Sequence, residues 1–425
     1  MIYHLVYNLF FALVLLVSVP FFLLRMATTR RFRTGLGERL GFYGPGFRGR
    51  TGKGAIWIQA ASVGEVKAVL PLVDLIREEF PASPVVLTCQ TAAGRDLARA
   101  RRGEAAAILS PLDFQPTVGR LIRRISPRIL VLVETEIWPG TILAARRRGI
   151  PVAVVNGRIS TRSFPRYRKA GILLRPVLRR INRFGMRSGL DAERIRALGA
   201  EESRVRVTGN IKFDSLDLSP AGAGGYRERW GWDRRDPVIV AGSTYQGEEE
   251  LLLDAWRELR PDFPGLKLIL APRHLERLEA VESLLRSRGE DYRLFSRLSP
   301  ADGRTGLVIL DRMGVLSQLY REASAVFVGR SLKGSGGQNP IEPAAAGRPI
   351  LFGPRMENFA EIAGELVETG GAVRVEDGSR LAGRIAEILA DREKAAAMGA
   401  RARAAVEKRR GASRRNLEMI REIVR

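Results

Sequence analysis

The chain has 425 residues, with 70 Lys and Arg against 46 Asp and Glu, for a net charge of +24. That length holds two domains of ordinary size, and the charge points to an anionic partner: a lipid surface, a phosphorylated glycolipid or a nucleic acid. The one cysteine, Cys89, excludes an intrachain disulfide, and with only His4 and His274 beside it no conventional His/Cys metal site can form.

In chain order, Leu5 to Leu24 is almost wholly apolar, broken by Asn8, Ser18 and Pro20. About 20 apolar residues match the hydrocarbon core of a bilayer. No Lys or Arg precedes the run, whereas Arg25, Arg30, Arg31 and Arg33 follow it. A cleaved signal peptide has the opposite order, and positive charge after the span puts the body in the cytoplasm. The alternative is a helix lying in the interface, which Pro20 and the Phe content tolerate. Residues 1–34 are thus expected to be a membrane anchor and its basic flank.

From Ala55 onward, short apolar runs alternate with amphipathic ones. Strands are expected at Ala55–Gln59, Val85–Thr88, Ile129–Val133 and Val152–Val155. A second series is expected at Val238–Ala241, Lys267–Ala271, Val308–Leu310, Ala325–Val328 and Pro349–Phe352. Thr141–Arg148 and Glu248–Leu259 read as helices between them. This alternation predicts parallel sheets wrapped by helices. Ser215–Tyr226 is rich in Ser, Pro, Gly and Ala and marks a linker. The division is then 35–213 and 227–400 as two Rossmann-like domains, 214–226 as linker and 401–425 as a C-terminal helix. The run Arg380–Arg425 reads as helix with a solvated face.

In open α/β sheets ligands bind beyond the carboxyl ends of the strands, and unusual residues gather there. Glu65 closes Ser62-Val63-Gly64-Glu65, and Glu134 and Glu136 open the run after Ile129–Val133. Carboxylates gathered at one crevice are costly unless they work or are paired, and a Glu with a tuned pKa takes a proton from an attacking hydroxyl. A helix N-terminus is the structural alternative for Glu65. Lys212, in Thr208-Gly209-Asn210-Ile211-Lys212-Phe213-Asp214, is either a surface cation or a stabiliser of developing negative charge. In the second half, Gly334 to Gln338 feed a predicted helix whose first turn carries Pro340. Free backbone N–H groups there suit a phosphate, and Glu342 is placed to accept hydrogen bonds from a ribose. With Arg273 at a neighbouring strand end, a nucleotide site is expected. There is no Walker A pattern and no dinucleotide fingerprint after a first strand. Nucleic-acid motifs are also missing, and the aromatics do not interleave with basic runs.

Six motifs in order carry a resemblance: Gly37 to Tyr43 (G-E-R-L-G-F-Y), S-V-G-E, E-T-E-I-W-P, T-G-N-I-K-F-D, Pro272-Arg273-His274 and G-G-Q-N-P-I-E. Together they resemble the 3-deoxy-D-manno-octulosonic acid (Kdo) transferases of lipopolysaccharide assembly, over nearly the whole chain. The resemblance implies a GT-B fold, two Rossmann-like domains with a central cleft, preceded by the anchor helix. It implies inverting transfer of Kdo from CMP-Kdo to a lipid A precursor, lipid IVA, at the cytoplasmic face of the bacterial inner membrane. Anionic membrane lipids are the expected surroundings, with no nucleic acid, no metal and no cofactor besides the donor substrate. Carried over by position, Glu65 is the proton acceptor, and Glu134 and Lys212 are transition-state stabilisers. Pro272, Arg273, Met313, Gly314, Val315, Asn339, Pro340, Ile341 and Glu342 hold the CMP moiety. Val315 stands where an acidic residue is common, and Gln338 where His is common, so no imidazole role falls to position 338.

Overall fold

The computed structural model describes residues 35–44, 47, 54–100, 106–216, 218 and 225–424. The expected anchor, Leu5–Leu24, and its Arg flank lie outside the described residues. Among the described residues no helix is long and apolar enough to cross a membrane. The chain forms two compact units. The first ends at Ser215 and is completed by the chain after Lys408; the second is Leu216–Lys408.

The first unit is a seven-stranded sheet of β1 (Ile56–Ala60), β2 (Val85–Cys89), β3 (Ala106–Leu109), β4 (Ile129–Val133), β5 (Val152–Gly157), β6 (Arg183–Met186) and β7 (Val205–Val207). The order is β3-β2-β1-β4-β5-β6-β7 and every pairing is parallel. Parallel strands are covered on both faces, so they read as continuous apolar runs. All five residues of both β1 and β4 are buried. Their side chains alternate between two cores: Trp57, Leu130 and Leu132 enter one, while Ile56, Ile58, Val131 and Val133 enter the other. Ile56 pairs with Val85 on one side and with Ile129 on the other. Strand order reverses between β1 and β4, the switch point at which such sheets bind ligands.

The C-terminal run corrects the expectation of one solvated helix. It is three helices, Leu381–Ala390, Arg392–Glu407 and Ala412–Val424. The last packs on the Val63–Glu79 helix and puts Ala412, Met419 and Ile420 into the second core of the first unit. Asp214 fixes its start, accepting from Gly411 N at 2.6 Å and Ser413 N at 2.5 Å. The buried Asn416 accepts from Thr208 Oγ1 at 3.1 Å. Its apolar residues recur at helical spacing, but the high Arg content hid which face is buried.

The second unit is again an all-parallel seven-stranded sheet: β8 (Val238–Thr244), β9 (Lys267–Pro272), β10 (Arg293–Leu294), β11 (Leu307–Ile309), β12 (Ala325–Val328), β13 (Ile350–Phe352) and β14 (Ala372–Arg374). The order is β10-β11-β9-β8-β12-β13-β14, so its switch point lies between β8 and β12. One face is closed by the Glu248–Leu259 and Leu381–Ala390 helices, with Trp256, Phe327 and Leu381 in the core.

Candidate active site

Among the described residues five non-glycines have positive φ, and four sit at or just past the C-terminal ends of central strands: Glu134 (59°), Asn156 (55°), Ser243 (55°) and Arg330 (57°). Left-handed backbone at a residue with a Cβ costs on the order of 1–3 kcal/mol and collects at functional sites. In the first unit the two strained residues are neighbours at the ends of β4 and β5. Glu134 N donates to Val155 O at 2.9 Å, which keeps it in the ladder while its side chain is turned out of the strand's alternation.

Glu65 is reached from β1 through Ala61 and Ser62. Ser62 caps the Val63–Glu79 helix, accepting from Glu65 N at 3.3 Å, and its hydroxyl donates to Glu65 Oε1 at 3.1 Å. Glu65 Oε2 accepts from Ala61 N at 2.7 Å. This is a capping box shifted by one residue, so the structural alternative for Glu65 is real. The chemical reading survives it. Burial pushes the Glu65 carboxyl up to about 7, with the nearby charges of Glu134 and Glu136 adding to the rise and the two hydrogen bonds opposing it. The three carboxylates expected at one crevice are therefore brought together.

Lys212 lies in a 3-10 turn after β7, Ile211–Phe213, capped by Asn210 Oδ1 accepting from Lys212 N. Its ammonium lies 3.2 Å from Glu134 Oε1. Glu136 is tied differently: its carboxylate accepts from Trp138 Nε1, and burial together with Glu134 raises its pKa. The tail of E-T-E-I-W-P is set by the buried Asp113, which accepts from Gly140 N at 2.8 Å and from Thr141 N at 2.6 Å. A Cβ at Gly140 would stand 2.4 Å from Asp113 O, so only glycine allows that cap. Sequence reasoning passed over Asp113, and also Asn156, whose Oδ1 accepts from Ile211 N at 3.1 Å and whose Nδ2 donates to Glu134 Oε1 at 3.4 Å.

The G-E-R-L-G-F-Y segment docks beside the same sheet end. Glu38 Oε2 accepts from Leu109 N at 2.6 Å, and an Arg39 Nη donates to Gln90 O at 2.6 Å, fastening the segment beyond β2 and β3. Cys89 is buried beneath it, and burial pushes its thiol up to about 12, which leaves it unreactive.

In the second unit Pro272 ends β9, and Arg273 N donates to Thr244 O at 3.1 Å while its side chain is exposed. Met313 and Gly314 are exposed, Gly314 with φ 88°, and Val315 caps the Leu316–Leu319 turn. The helix expected to carry Pro340 in its first turn is only Ile341–Ala345, with Pro340 as its cap. Five residues sum few peptide dipoles, so the attraction for phosphate rests on local N–H groups rather than on a macrodipole. Asn339 organises this turn, accepting from Ile341 N at 3.1 Å and donating to Glu342 Oε1 at 3.2 Å. The Gly-rich loop is closely fitted: a Cβ on Gly336 would stand 2.3 Å from Asn358 Nδ2.

Two buried acids shape these loops and were not singled out from sequence. Glu248, fully buried, accepts from the backbone N–H groups of Arg330 (2.6 Å), Ser331 (2.9 Å), Leu332 (3.0 Å) and Lys333 (3.2 Å). It pins the start of the loop leading to Gly334–Gly337. Glu249 accepts from Thr244 Oγ1 at 2.8 Å and from both Arg277 Nη atoms, tying the end of β8 to the segment after Arg273. The acids of the helix start G-E-E were the available signal. Among the described residues no group of three or more His, Cys, Asp or Glu is arranged to hold a metal ion.

Residues 34–215 match the family model for 3-deoxy-D-manno-octulosonic-acid transferase (kdotransferase), and residues 238–405 match that for glycosyl transferases group 1. The 3-deoxy-D-manno-octulosonic acid transferase of Haemophilus influenzae is 32% identical over 426 residues, 97% of this chain and 98% of its own. The protein of the same name from Bordetella pertussis is 32% identical over 379 residues, 86% of each chain. A solved glycosyltransferase from Rickettsia africae shares the fold, with a TM-score of 0.61 at 13% identity over 88% of this chain and 99% of its own. The acidic cluster thus lies within the stretch matched by the transferase family model, and on sequence over its full length this chain belongs to the 3-deoxy-D-manno-octulosonic acid transferase family.

Proposed function

We propose that the chain transfers Kdo from CMP-Kdo to a primary hydroxyl of a lipid A precursor, lipid IVA, in one inverting displacement. The observation that carries this is the part-buried Glu65 carboxylate, held by Ala61 N and Ser62 at the switch point of the first sheet, in the unit that also holds the Glu134–Lys212 pair; its burial and the charges of Glu134 and Glu136 push its pKa up to about 7. A base of that pKa is half ionised at neutral pH and suited to accept a proton from an alcohol as its oxygen attacks. Glu65 takes the hydroxyl proton, and the oxygen forms a bond to the anomeric carbon. The bond from that carbon to the CMP phosphate oxygen breaks, and CMP leaves with the electron pair. Glu134 and Lys212 oppose charge build-up during this step, Lys212 as the cation and Glu134 as the carboxylate that orients it.

Arg273 and the backbone around Asn339 to Glu342 hold the CMP phosphate and ribose, and Pro272 and Met313 to Val315 flank the nucleoside. No metal or cofactor is needed in this reading, because Arg273 and Lys212 supply the positive charge. Residues 1–34 hold the body at the cytoplasmic face of the inner membrane, where Phe21, Phe22 and the Arg25–Arg33 cluster meet anionic headgroups. Incubation with CMP-Kdo and a tetraacylated lipid A precursor, followed by mass spectrometry, tests the reading. Product heavier by one or more Kdo residues is expected. No transfer from CMP-Kdo, with transfer from a UDP-sugar instead, would overturn it.

A further inference from the structure

The chemistry above leaves the side chain of Arg330 unused, although its backbone is strained. Ser243 and Arg330, the two non-glycines of positive φ in the second unit, stand at the two strands of its switch point, Ser243 near the end of β8 and Arg330 just past β12. Left-handed backbone suits glycine, and a side chain is kept there at a cost. Backbone bonds hold Arg330 in place. Its N–H donates to Glu248 Oε2 at 2.6 Å, and its carbonyl accepts from Gly337 N at 3.1 Å. The same Glu248 oxygen accepts from Tyr245 N at 2.9 Å. One buried carboxylate therefore fixes both partners of a stack, in which the Arg330 guanidinium lies over the Tyr245 ring, 5.3 Å from its centroid.

Stacking uses the flat face of the guanidinium and leaves its in-plane donors free. Among the described residues no acid pairs with it, and its Nε is buried with no hydrogen-bond partner. A buried donor without an acceptor is costly, and an anion arriving in the plane of the group removes that cost. The stack touches both segments expected to hold CMP. Tyr245 meets His274, next to Arg273, edge-on with 6.4 Å between ring centroids. The loop leading to Asn339 folds against it: a Cβ on Gly334 would stand 3.2 Å from Arg330 Cγ and 3.5 Å from Tyr245 Cδ1.

We propose that Arg330 binds the carboxylate of the donor sugar, beside the phosphate held by Arg273, and so selects a 2-ulosonic acid over an aldose; this rests on the CMP-Kdo reading given above. In such a donor one carbon, the anomeric one, carries both the carboxylate and the oxygen bonded to phosphorus. Two anions arrive together, and one planar cation cannot face both. A guanidinium fork matches a carboxylate with two parallel hydrogen bonds. The exposed Arg273 meets the phosphate, and the stacked Arg330 meets the carboxylate. An aldose nucleotide has hydrogen in place of the carboxylate and leaves Arg330 unpaired, which a site built for a polar partner penalises.

The test is transfer kinetics of the full-length chain, with CMP-Kdo as donor and CMP as product inhibitor. Arg330→Gln should raise KM for CMP-Kdo about 10- to 100-fold, the size of a lost charged hydrogen bond, and leave the Ki of CMP within about twofold, since CMP has no sugar carboxylate. Arg330→Lys keeps the charge without the fork, so its KM should rise by less than about tenfold. Arg330→Gly relieves the left-handed backbone, so its midpoint in denaturant should equal or exceed that of wild type while KM rises as in Arg330→Gln. Parallel rises in KM and in the Ki of CMP, with a lowered midpoint in the glycine variant, would make Arg330 a loop-shaping residue and overturn the proposal. An unchanged KM in Arg330→Gln would overturn it too, with the transferase reading left standing. A wild type that transfers no Kdo from CMP-Kdo would refute the transferase reading itself, and the carboxylate assignment with it.

Discussion

Replacing Glu65 with Gln separates its two jobs. The amide oxygen can still accept from Ala61 N, so the helix start keeps one of its ties, while the ionisable group is lost. With the carboxyl at about 7, roughly half is ionised at pH 7 and about a tenth at pH 6. Wild-type kcat/KM should therefore rise about tenfold between pH 5 and 6 and level off above pH 8. The variant should lose a factor of roughly 10²–10⁴ at pH 8 and lose the limb. Stability supplies an independent readout. The folded pKa lies above the unfolded one, so the native state holds this proton more tightly and stability falls as pH rises from 4.5 through 7. Moving the pKa from 4.5 to about 7 corresponds to roughly 3–4 kcal/mol as an upper bound, reduced by solvent screening of a carboxyl that is partly exposed. Glu65→Gln should remove that slope in denaturant titrations across this window. A flat wild-type rate profile from pH 5.5 to 8.5, or a Gln variant within fivefold of wild type at pH 8, would refute the assignment of Glu65 as base.

Glu134→Gln removes a charge that raises the Glu65 pKa, so any residual activity should show its limb at lower pH; Lys212→Met should cost roughly 10²–10³ in kcat. Both are read from pH–rate profiles of the purified variants. Arg273→Ala should weaken CMP binding by about 10- to 100-fold by calorimetry, the size of a lost charged hydrogen bond, and wild type should prefer CMP to UMP and UDP. Glu248→Gln sets an amide donor against buried N–H groups and should destabilise by about 2–4 kcal/mol in denaturant unfolding, with weaker CMP binding. Met419→Ala should cost about 2–5 kcal/mol, because the C-terminal helix is core rather than cover.

Most of the legible strands are apolar on both faces. Ile129–Val133 is bounded in the structure as its composition predicts, since a fully buried parallel strand has no polar alternation to blur it. Five strands went unseen: β6, β7, β10 and β14 are short and each carries an arginine, while β3, Ala106–Leu109, is apolar but only four residues long; Arg183-Phe184-Gly185-Met186 and Val205-Arg206-Val207 become strands only through their neighbours' pairing. The carboxylates and Lys212 were legible because their chemistry is unusual at strand ends. Asn156 was not, since its role depends on Ile211, 55 residues away, and on Glu134 at the next strand. The same holds for Glu248, whose partners follow it by more than 80 residues.

The central claim is that Glu65 deprotonates a hydroxyl that attacks the donor's anomeric carbon in a single step. The anomeric configuration of the Kdo–lipid product, by NMR against that of the donor, tests it most directly. The account predicts the opposite configuration, formed by wild type and nearly abolished in Glu65→Gln. A product that keeps the donor's configuration would require a double displacement or attack from the leaving-group face, and would contradict it.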